Sequence, residues 1–227
     1  MASTLVKIER TPIRVPASGG YLGADLTLPE GATGLVVFAH GSGSSRYSPR
    51  NRHVAEVLNK GLVGTILADL LTKEEEAEDL QTAGLRFNIR LLARRLISIT
   101  DWVGGQDKLN TLGLGYFGAS TGAAAALAAA AERPRVVRAV VSRGGRPDLA
   151  CAQLGAVCAP CLFIVGAADP VVLNLNRAAI AELPAATERR IEIIPGATHL
   201  FEEPGALDEV ADVALDWFQR HLRGGTT

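Results

Sequence analysis

Few side chains in this chain combine a reactive type with a setting that would make it react. The clearest is Ser120 in Gly118-Ala119-Ser120-Thr121-Gly122. The apolar run Leu112–Phe117 leads into it and the alanine-rich stretch Thr121–Glu132 leaves it. A strand–turn–helix setting of this kind holds a nucleophilic serine at a sharp elbow. Small flanking residues let backbone segments approach closely, and free N–H groups at a helix start stabilise developing negative charge. A serine hydroxyl is a weak nucleophile and requires a base. The four histidines are His40, His53, His199 and His221. His53 and His221 fall inside predicted amphipathic helices, where structural or solvated roles are expected. His199 follows the last predicted strand, in Ile194-Pro-Gly-Ala-Thr-His-Leu-Phe201. That is the edge of an open α/β sheet where ligand chemistry gathers. Asp169, in Leu162-Phe-Ile-Val-Gly-Ala-Ala-Asp-Pro170, lies between serine and histidine in the chain and just past a strand. The order Ser120, Asp169, His199 is that of a nucleophile, an orienting acid and a base for acyl transfer. The plainer reading is a turn serine, a capping aspartate and a loop histidine.

A second stretch, Val36-Val-Phe-Ala-His-Gly-Ser-Gly-Ser-Ser45, places glycines and serines directly after a strand. It lacks the GxxxxGK[ST] phosphate loop, and no GxGxxG dinucleotide fingerprint follows the strand. Such a loop can instead turn its N–H groups toward a substrate oxygen, so that the N–H of Ser42 and that of Thr121 form an oxyanion hole. His40 and Gly41 of the same loop are candidate substrate contacts, as are Arg46 and Arg143. An arginine pointing into the cleft would pair with a substrate carboxylate and favour an anionic ester; the alternative is structural hydrogen bonding or solvation.

These residues need a scaffold, and the hydrophobic pattern supplies one. Val6 and Ile8, then Leu22, Ala24, Leu26 and Leu28, alternate with polar or small residues, which predicts half-buried antiparallel strands at a sheet edge. Short continuous apolar runs follow at Leu35–Ala39, Val63–Ala68, Leu112–Phe117, Val136–Val141, Leu162–Val165 and Ile191–Ile194. Strands apolar on both faces belong to a parallel sheet covered by helices. Ile89, Leu92, Leu96, Ile99 and Val103 recur at helical spacing, with Arg86, Arg90 and Arg94 on a solvated face. Asn51–Lys60, Thr121–Glu132 and Ala206–Leu222 read as further helices, and Trp102 and Trp217 as core. The acidic run Glu74–Asp79 reads as a solvated helix start. The expected fold class is α/β, a mostly parallel doubly wound sheet with helices on both faces, antiparallel N-terminal edge strands and no lid domain. With no repeat, linker or compositional break, residues 1–227 are expected to form one domain.

Composition narrows the function. The 23 basic and 24 acidic residues give a net charge of −1, so no global field attracts nucleic acid or an anionic membrane. The opening ten residues have no signal-peptide apolar core, and no run approaches the roughly 20 apolar residues that cross a bilayer; a cytoplasmic protein is expected. The odd count of three cysteines disfavours a disulfide framework. Cys158-Ala-Pro-Cys161 has CxxC spacing, but it lacks a second ligand pair, and Cys161 begins an apolar run. No metal or organic cofactor is called for.

Taken together, the His40-Gly-Ser-Gly43 loop, Gly118–Gly122, Ser142-Arg-Gly-Gly-Arg-Pro-Asp148 and Gly196-Ala-Thr-His199 resemble the α/β-hydrolases. The chain is similar in particular to their small dienelactone-hydrolase-related branch, a domain also found fused to phosphoribosyltransferases. The resemblance implies the α/β-hydrolase fold, nucleophile Ser120, acid Asp169, base His199 and oxyanion donors at Ser42 and Thr121. Dienelactone hydrolases typically carry cysteine at the elbow, so their lactone substrate is not carried over, and no fused transferase segment or phosphoribosyl chemistry is expected. The expected activity is hydrolysis of small or accessible carboxylic esters through an acyl-enzyme. The alternatives are a non-catalytic module that binds a ligand or partner, a lactone or amide hydrolase, or an acyltransferase.

Overall fold

The structure, a computed structural model, describes residues 8–223. The predicted alternation at Val6 and Lys7, and most of the opening segment read for a signal sequence, lie outside the described residues. The alternating N-terminal residues form an antiparallel hairpin of β1 (Ile8–Ala17) and β2 (Gly20–Pro29). There follow β3 (Gly34–Ala39), α1 (Pro49–Lys60), β4 (Val63–Ala68), α2 (Lys73–Thr82), a 3-10 turn at Leu85–Phe87 and α3 (Ile89–Gly104). Next come β5 (Gly113–Ala119), α4 (Thr121–Glu132), β6 (Val137–Arg143), a 3-10 turn at Pro147–Ala150, α5 (Cys151–Leu154) and β7 (Cys161–Gly166). The chain closes with α6 (Pro170–Glu182), β8 (Arg189–Ile194) and α7 (Ala206–Leu222). One eight-stranded sheet runs in the order β1-β2-β4-β3-β5-β6-β7-β8. β2 pairs antiparallel with β4, and β4 through β8 are parallel to their neighbours.

Every residue of β3, β4, β5 and β7 is buried, as continuous apolar runs require of strands covered on both faces. On one face Val54 and Leu58 of α1 and Trp217 and Phe218 of α7 pack against Phe38, Val141 and Ile164. On the other, Leu92 and Leu96 of α3 and the alanines of α4 pack against Val37, Tyr116 and Phe163. Alanine at nearly every position of α4 lets that helix lie close to the sheet, and residues Thr121–Ala130 are all buried. Cys161 is buried in β7, where desolvation pushes its thiol up to about 12. It packs as a small apolar residue.

Three elements depart from the pattern. Helix α6 has no apolar stripe to announce it, because only Val172, Asn176 and Ala179 are buried. It is started by Asp169 as N-cap and Pro170 at the first position. Helix α2 takes up the acidic run, and Thr72 and Glu75 close a reciprocal capping box. Glu74, Glu76 and Glu78 are solvated as expected, but Asp79 is buried. Arg86 does not join the solvated stripe. It sits in the 3-10 turn before α3 and donates from Nε to Asp79 Oδ2 at 2.7 Å. No helix among the described residues is long and apolar enough to cross a membrane.

Candidate active site

Parallel pairing brings the carboxyl ends of β3, β5, β7 and β8 to one edge of the sheet, and each end carries one of the residues singled out above. Ser120 leaves β5 at φ 51° and ψ −120°, left-handed backbone that a residue with a Cβ rarely adopts. Its neighbours explain how the turn closes. A Cβ built on Gly118 would lie 2.4 Å from Ala123 Cα, and one on Gly122 would lie 2.3 Å from the Ala39 carbonyl oxygen and 2.5 Å from that of His40. Both glycines are therefore required by close approach, and Gly122 in particular seats α4 against the end of β3. Gly122→Ala is expected to cost about 3 kcal/mol, the upper range for overpacking against atoms that cannot move. In a thermal melt this lowers Tm by about 6–12 °C for a domain of this size.

Ser120 is pinned by its backbone, its N–H donating to Arg143 O at 3.2 Å and its carbonyl accepting from Ala123 N and Arg146 N, both at 3.1 Å. The residue after Arg143 touches the histidine loop: a Cβ on Gly144 would lie 3.2 Å from His199 O and 3.5 Å from His199 Cε1. Arg143 and Gly144, at the end of β6, thus link Ser120 to the loop that carries His199. His199 Nδ1 lies 2.7 Å from Asp169 Oδ2, which leaves Nε2 free to face a substrate. The other carboxylate oxygen of Asp169 accepts from Val172 N at 3.4 Å as the cap of α6. Asp169 therefore does both jobs set against each other in the sequence, capping a helix and holding an imidazole. The loops carrying the pair are laced together by Ala167 N to Ile194 O and Ala168 N to Ala197 O, each 2.9 Å.

The loop after β3 makes a tight turn in which Ser44 N donates to Gly41 O at 3.2 Å and Gly43 takes φ +69°. A Cβ on Gly41 would lie 3.2 Å from Ser120 Cβ, so the turn passes directly beside the serine. Among the described residues the N–H of Ser42 donates to no protein group, and that of Thr121, first in α4, has no partner inside its helix. Both residues line a cavity of about 410 Å³ that continues past Tyr47, Asp69, Leu71, Glu76, Asp79, Leu80 and Arg86. This volume lies within the roughly 300–1,000 Å³ typical of small-molecule sites.

Three candidate contacts are engaged with protein groups. His40 is at the cavity wall, but its ring is occupied: Nδ1 lies 3.0 Å from Gly41 O, and Leu70 N donates to Nε2 at 3.2 Å. The two partners fix a neutral tautomer that pins the turn to the end of β4. Desolvation lowers the pKa of His40 below 6.5, against smaller raising effects of Gly41, Asp69 and Glu76. Because the unfolded chain then takes up the proton first, the His40 contribution to stability is complete above about pH 6.5. It is lost on acidification from there down to the lowered folded pKa. Chemical denaturation from pH 7 to 5 should show a slope of at most about 1.4 kcal/mol per pH unit from this group, absent in His40→Gln.

Arg46 is committed to Asp69, through its backbone N at 2.9 Å and its guanidinium, with Asp25 Oδ2 3.9 Å from Nε. Arg143 is 7% exposed, 3.5 Å from Asn51 Oδ1 and stacked 5.8 Å from the centre of Phe201. Burial, helped by the Arg50 charge, pushes its pKa down to about 10, so it stays charged at neutral pH. Neither arginine lines the cavity. Gly41 does, as expected.

Several residues at the site carried no sequence signal of their own. Glu203 Oε1 accepts from Thr198 N at 3.1 Å, and Phe201, at φ 57° and 1% exposure, anchors the chain after His199. Asp79 collects Leu85 N and Arg86 N at 2.8 and 2.9 Å besides the Arg86 side chain, and these hydrogen bonds hold its carboxyl below the usual range against its burial. His53 pairs with Asp208 at 2.7 Å and His221 packs on Trp217, both away from the cavity. Among the described residues no group of His, Cys, Asp and Glu is placed to hold a metal ion.

Known proteins resemble this chain in sequence and fold. The family profile described as "Dienelactone hydrolase family" matches residues 22–223. The crystal structure of a dienelactone hydrolase from Anabaena variabilis is 55% identical, with a TM-score of 0.93 over 95% of this chain and 99% of that one. A Mycobacterium tuberculosis protein named "Putative phosphoribosyl transferase" is 56% identical over 213 residues, which is 93% of this chain and 46% of the relative. The chain therefore spans about half the length of the curated relatives it matches. Est1E from Butyrivibrio proteoclasticus, 15% identical with a TM-score of 0.77 over 92% of this chain and 98% of that one, shares the fold.

Proposed function

This chain belongs to the dienelactone hydrolase family, and we propose that it is a serine hydrolase that cleaves carboxylic esters through an acyl-enzyme. One observation carries the reading: a serine held in strained left-handed backbone at the same sheet edge as a histidine whose Nδ1 is 2.7 Å from an aspartate. Strain of about 1–3 kcal/mol persists where function retains it, and a turn serine needs none. In the reaction His199 Nε2 takes the Ser120 proton as Oγ attacks the ester carbonyl, and the proton passes to the departing alcohol. Asp169 holds the imidazole in the required tautomer and stabilises its cation. The oxyanion rests on the N–H groups of Ser42 and Thr121, each worth about 2.7–4 kcal/mol in the transition state. Water, activated by His199, then releases the acid.

His40 acts from behind the turn, since its bond to Gly41 O orients the peptide that carries the Ser42 N–H. Arg46 and Arg143 act as supports, one tying the turn to Asp69 and the other propping Phe201 behind His199. The transferase name of the longer relatives is no part of this reading, because the serine elbow and the Asp169–His199 pair are the groups that acyl transfer uses.

The test is release of p-nitrophenol from p-nitrophenyl acetate by the folded protein. Saturable turnover, with the same deacylation rate for different acetate esters, is the expected result. A folded protein that binds esters without turning them over would make it a binding module.

A further inference from the structure

Resting on the hydrolytic reading above, we propose that the site takes an uncharged ester with apolar groups of several carbons on both sides of the scissile bond. Eight large apolar side chains are exposed among the described residues. Scattered singly they would need no explanation, but all except Val136 stand at the one edge of the sheet that carries Ser120, Tyr21 on the outlying hairpin and the other six flanking the serine. Tyr47, Leu80 and Phe87 lie on the side of β3 and β4, at 53, 76 and 56% exposure. Tyr47 and Leu80 line the cavity together with Leu71 and Leu92, and Phe87 belongs to the turn whose Arg86 completes its wall. The Tyr47 ring is held in place by two guanidinium groups, Arg46 at 4.5 Å and Arg52 at 4.9 Å from its centre.

Leu149, Val171 and Leu200 lie on the other side, at 38, 70 and 39% exposure. Leu149 is in the turn after β6, Val171 is the second residue of the helix capped by Asp169, and Leu200 follows His199. Ser120 thus stands between an apolar-rimmed cavity and an apolar ledge. The cavity reaches Ser42 and Thr121, which adjoin the serine, and on the other side Val171 and Leu200 stand within two residues of Asp169 and His199. An ester bound at Ser120 must send one limb each way, and water is displaced from both surfaces only if both limbs are apolar.

Charge rules against an anionic limb. The cavity carboxylates Asp69 and Asp79 are paired with Arg46 and Arg86. Glu76 forms no ion pair among the described residues, so the cavity offers no unpaired cation to a carboxylate-bearing limb.

The test compares two series on the wild type: p-nitrophenyl hexanoate against acetate, and hexyl against methyl acetate by pH-stat. Each methylene buried is worth about fourfold in binding, so the added carbons, four in the acyl series and five in the alkyl series, should raise kcat/KM at least about tenfold in each even when only partly buried. Leu80→Asp is expected to bring the ratio in one series to within about twofold of unity and Val171→Asp to do so in the other. Val136→Asp, an equally apolar exposed position preceding β6 at the far edge, should change neither. A wild type that reacts with a fluorophosphonate probe yet shows ratios near one in both series overturns the proposal while leaving the hydrolase intact. So does an equal loss on acetate and hexanoate in both Asp variants. A wild type that fails to react with the probe overturns the hydrolytic reading, and this one with it.

Discussion

Ser120→Ala is expected to lower kcat on an aryl ester by about a hundred-thousand- to a million-fold, the scale seen when the nucleophile of an acyl-transfer triad is removed. The residual rate should stay above that of water on the proposed reading, because Ser42 and Thr121 line the cavity and their N–H groups would still polarise a bound carbonyl. Stability should hardly change, since alanine keeps the Cβ and therefore the strain at φ 51°. Ser120→Gly separates the two effects. Glycine occupies this backbone region at no steric cost, so the variant should be as inactive as Ser120→Ala and more stable than it by about 1 kcal/mol. Parallel denaturation curves and rate measurements read both quantities. A glycine variant less stable than the alanine variant would mean that Ser120 is not strained.

Asp169→Asn has the second largest expected effect, a loss of about ten-thousand-fold in kcat with little change in KM or fold stability. The carboxylate oxygen 2.7 Å from His199 Nδ1 accepts that proton and favours the tautomer with a basic Nε2. An amide can present its NH₂ group there and select the opposite tautomer. The same substitution spares the cap of α6, because asparagine caps as well as aspartate and the bond from Val172 N at 3.4 Å is kept. Asp169→Ala should lose the activity and about 1 kcal/mol of stability besides. A KM effect without a kcat effect would place Asp169 in binding rather than in orienting the base.

The parts of this molecule that could be read in advance are those fixed by local physics. Strands β3 to β7 announce themselves as apolar runs because both faces of each are covered. Ser120, Asp169 and His199 could be placed because each follows a strand, and a parallel sheet sends every such position to one edge. Long-range partners hid the rest. The role of His40 depends on Leu70 N, thirty residues on, which occupies its ring nitrogen. Arg46 finds Asp69 across two strands. Arg86 could be taken for one tooth of a solvated arginine stripe only by assuming that α3 begins before Ile89. A 3-10 turn there swings it back onto Asp79. Helix α6 had no readable periodicity because its buried face is short and includes Asn176, which spends its side-chain amide on Gly145 O and Val172 O. For His40, Arg46 and Asn176 a polar group is satisfied by something more than twenty residues away, and residue spacing carries no trace of that.

The most direct test of the central claim is intact-mass analysis after exposure to a fluorophosphonate probe, with peptide mapping of the adduct. The account predicts one adduct per wild-type chain, mapped to Ser120, absent from Ser120→Ala and formed far more slowly in Asp169→Asn. A wild-type protein that is folded by circular dichroism and remains unlabelled, or that is labelled at a residue other than Ser120, would contradict it.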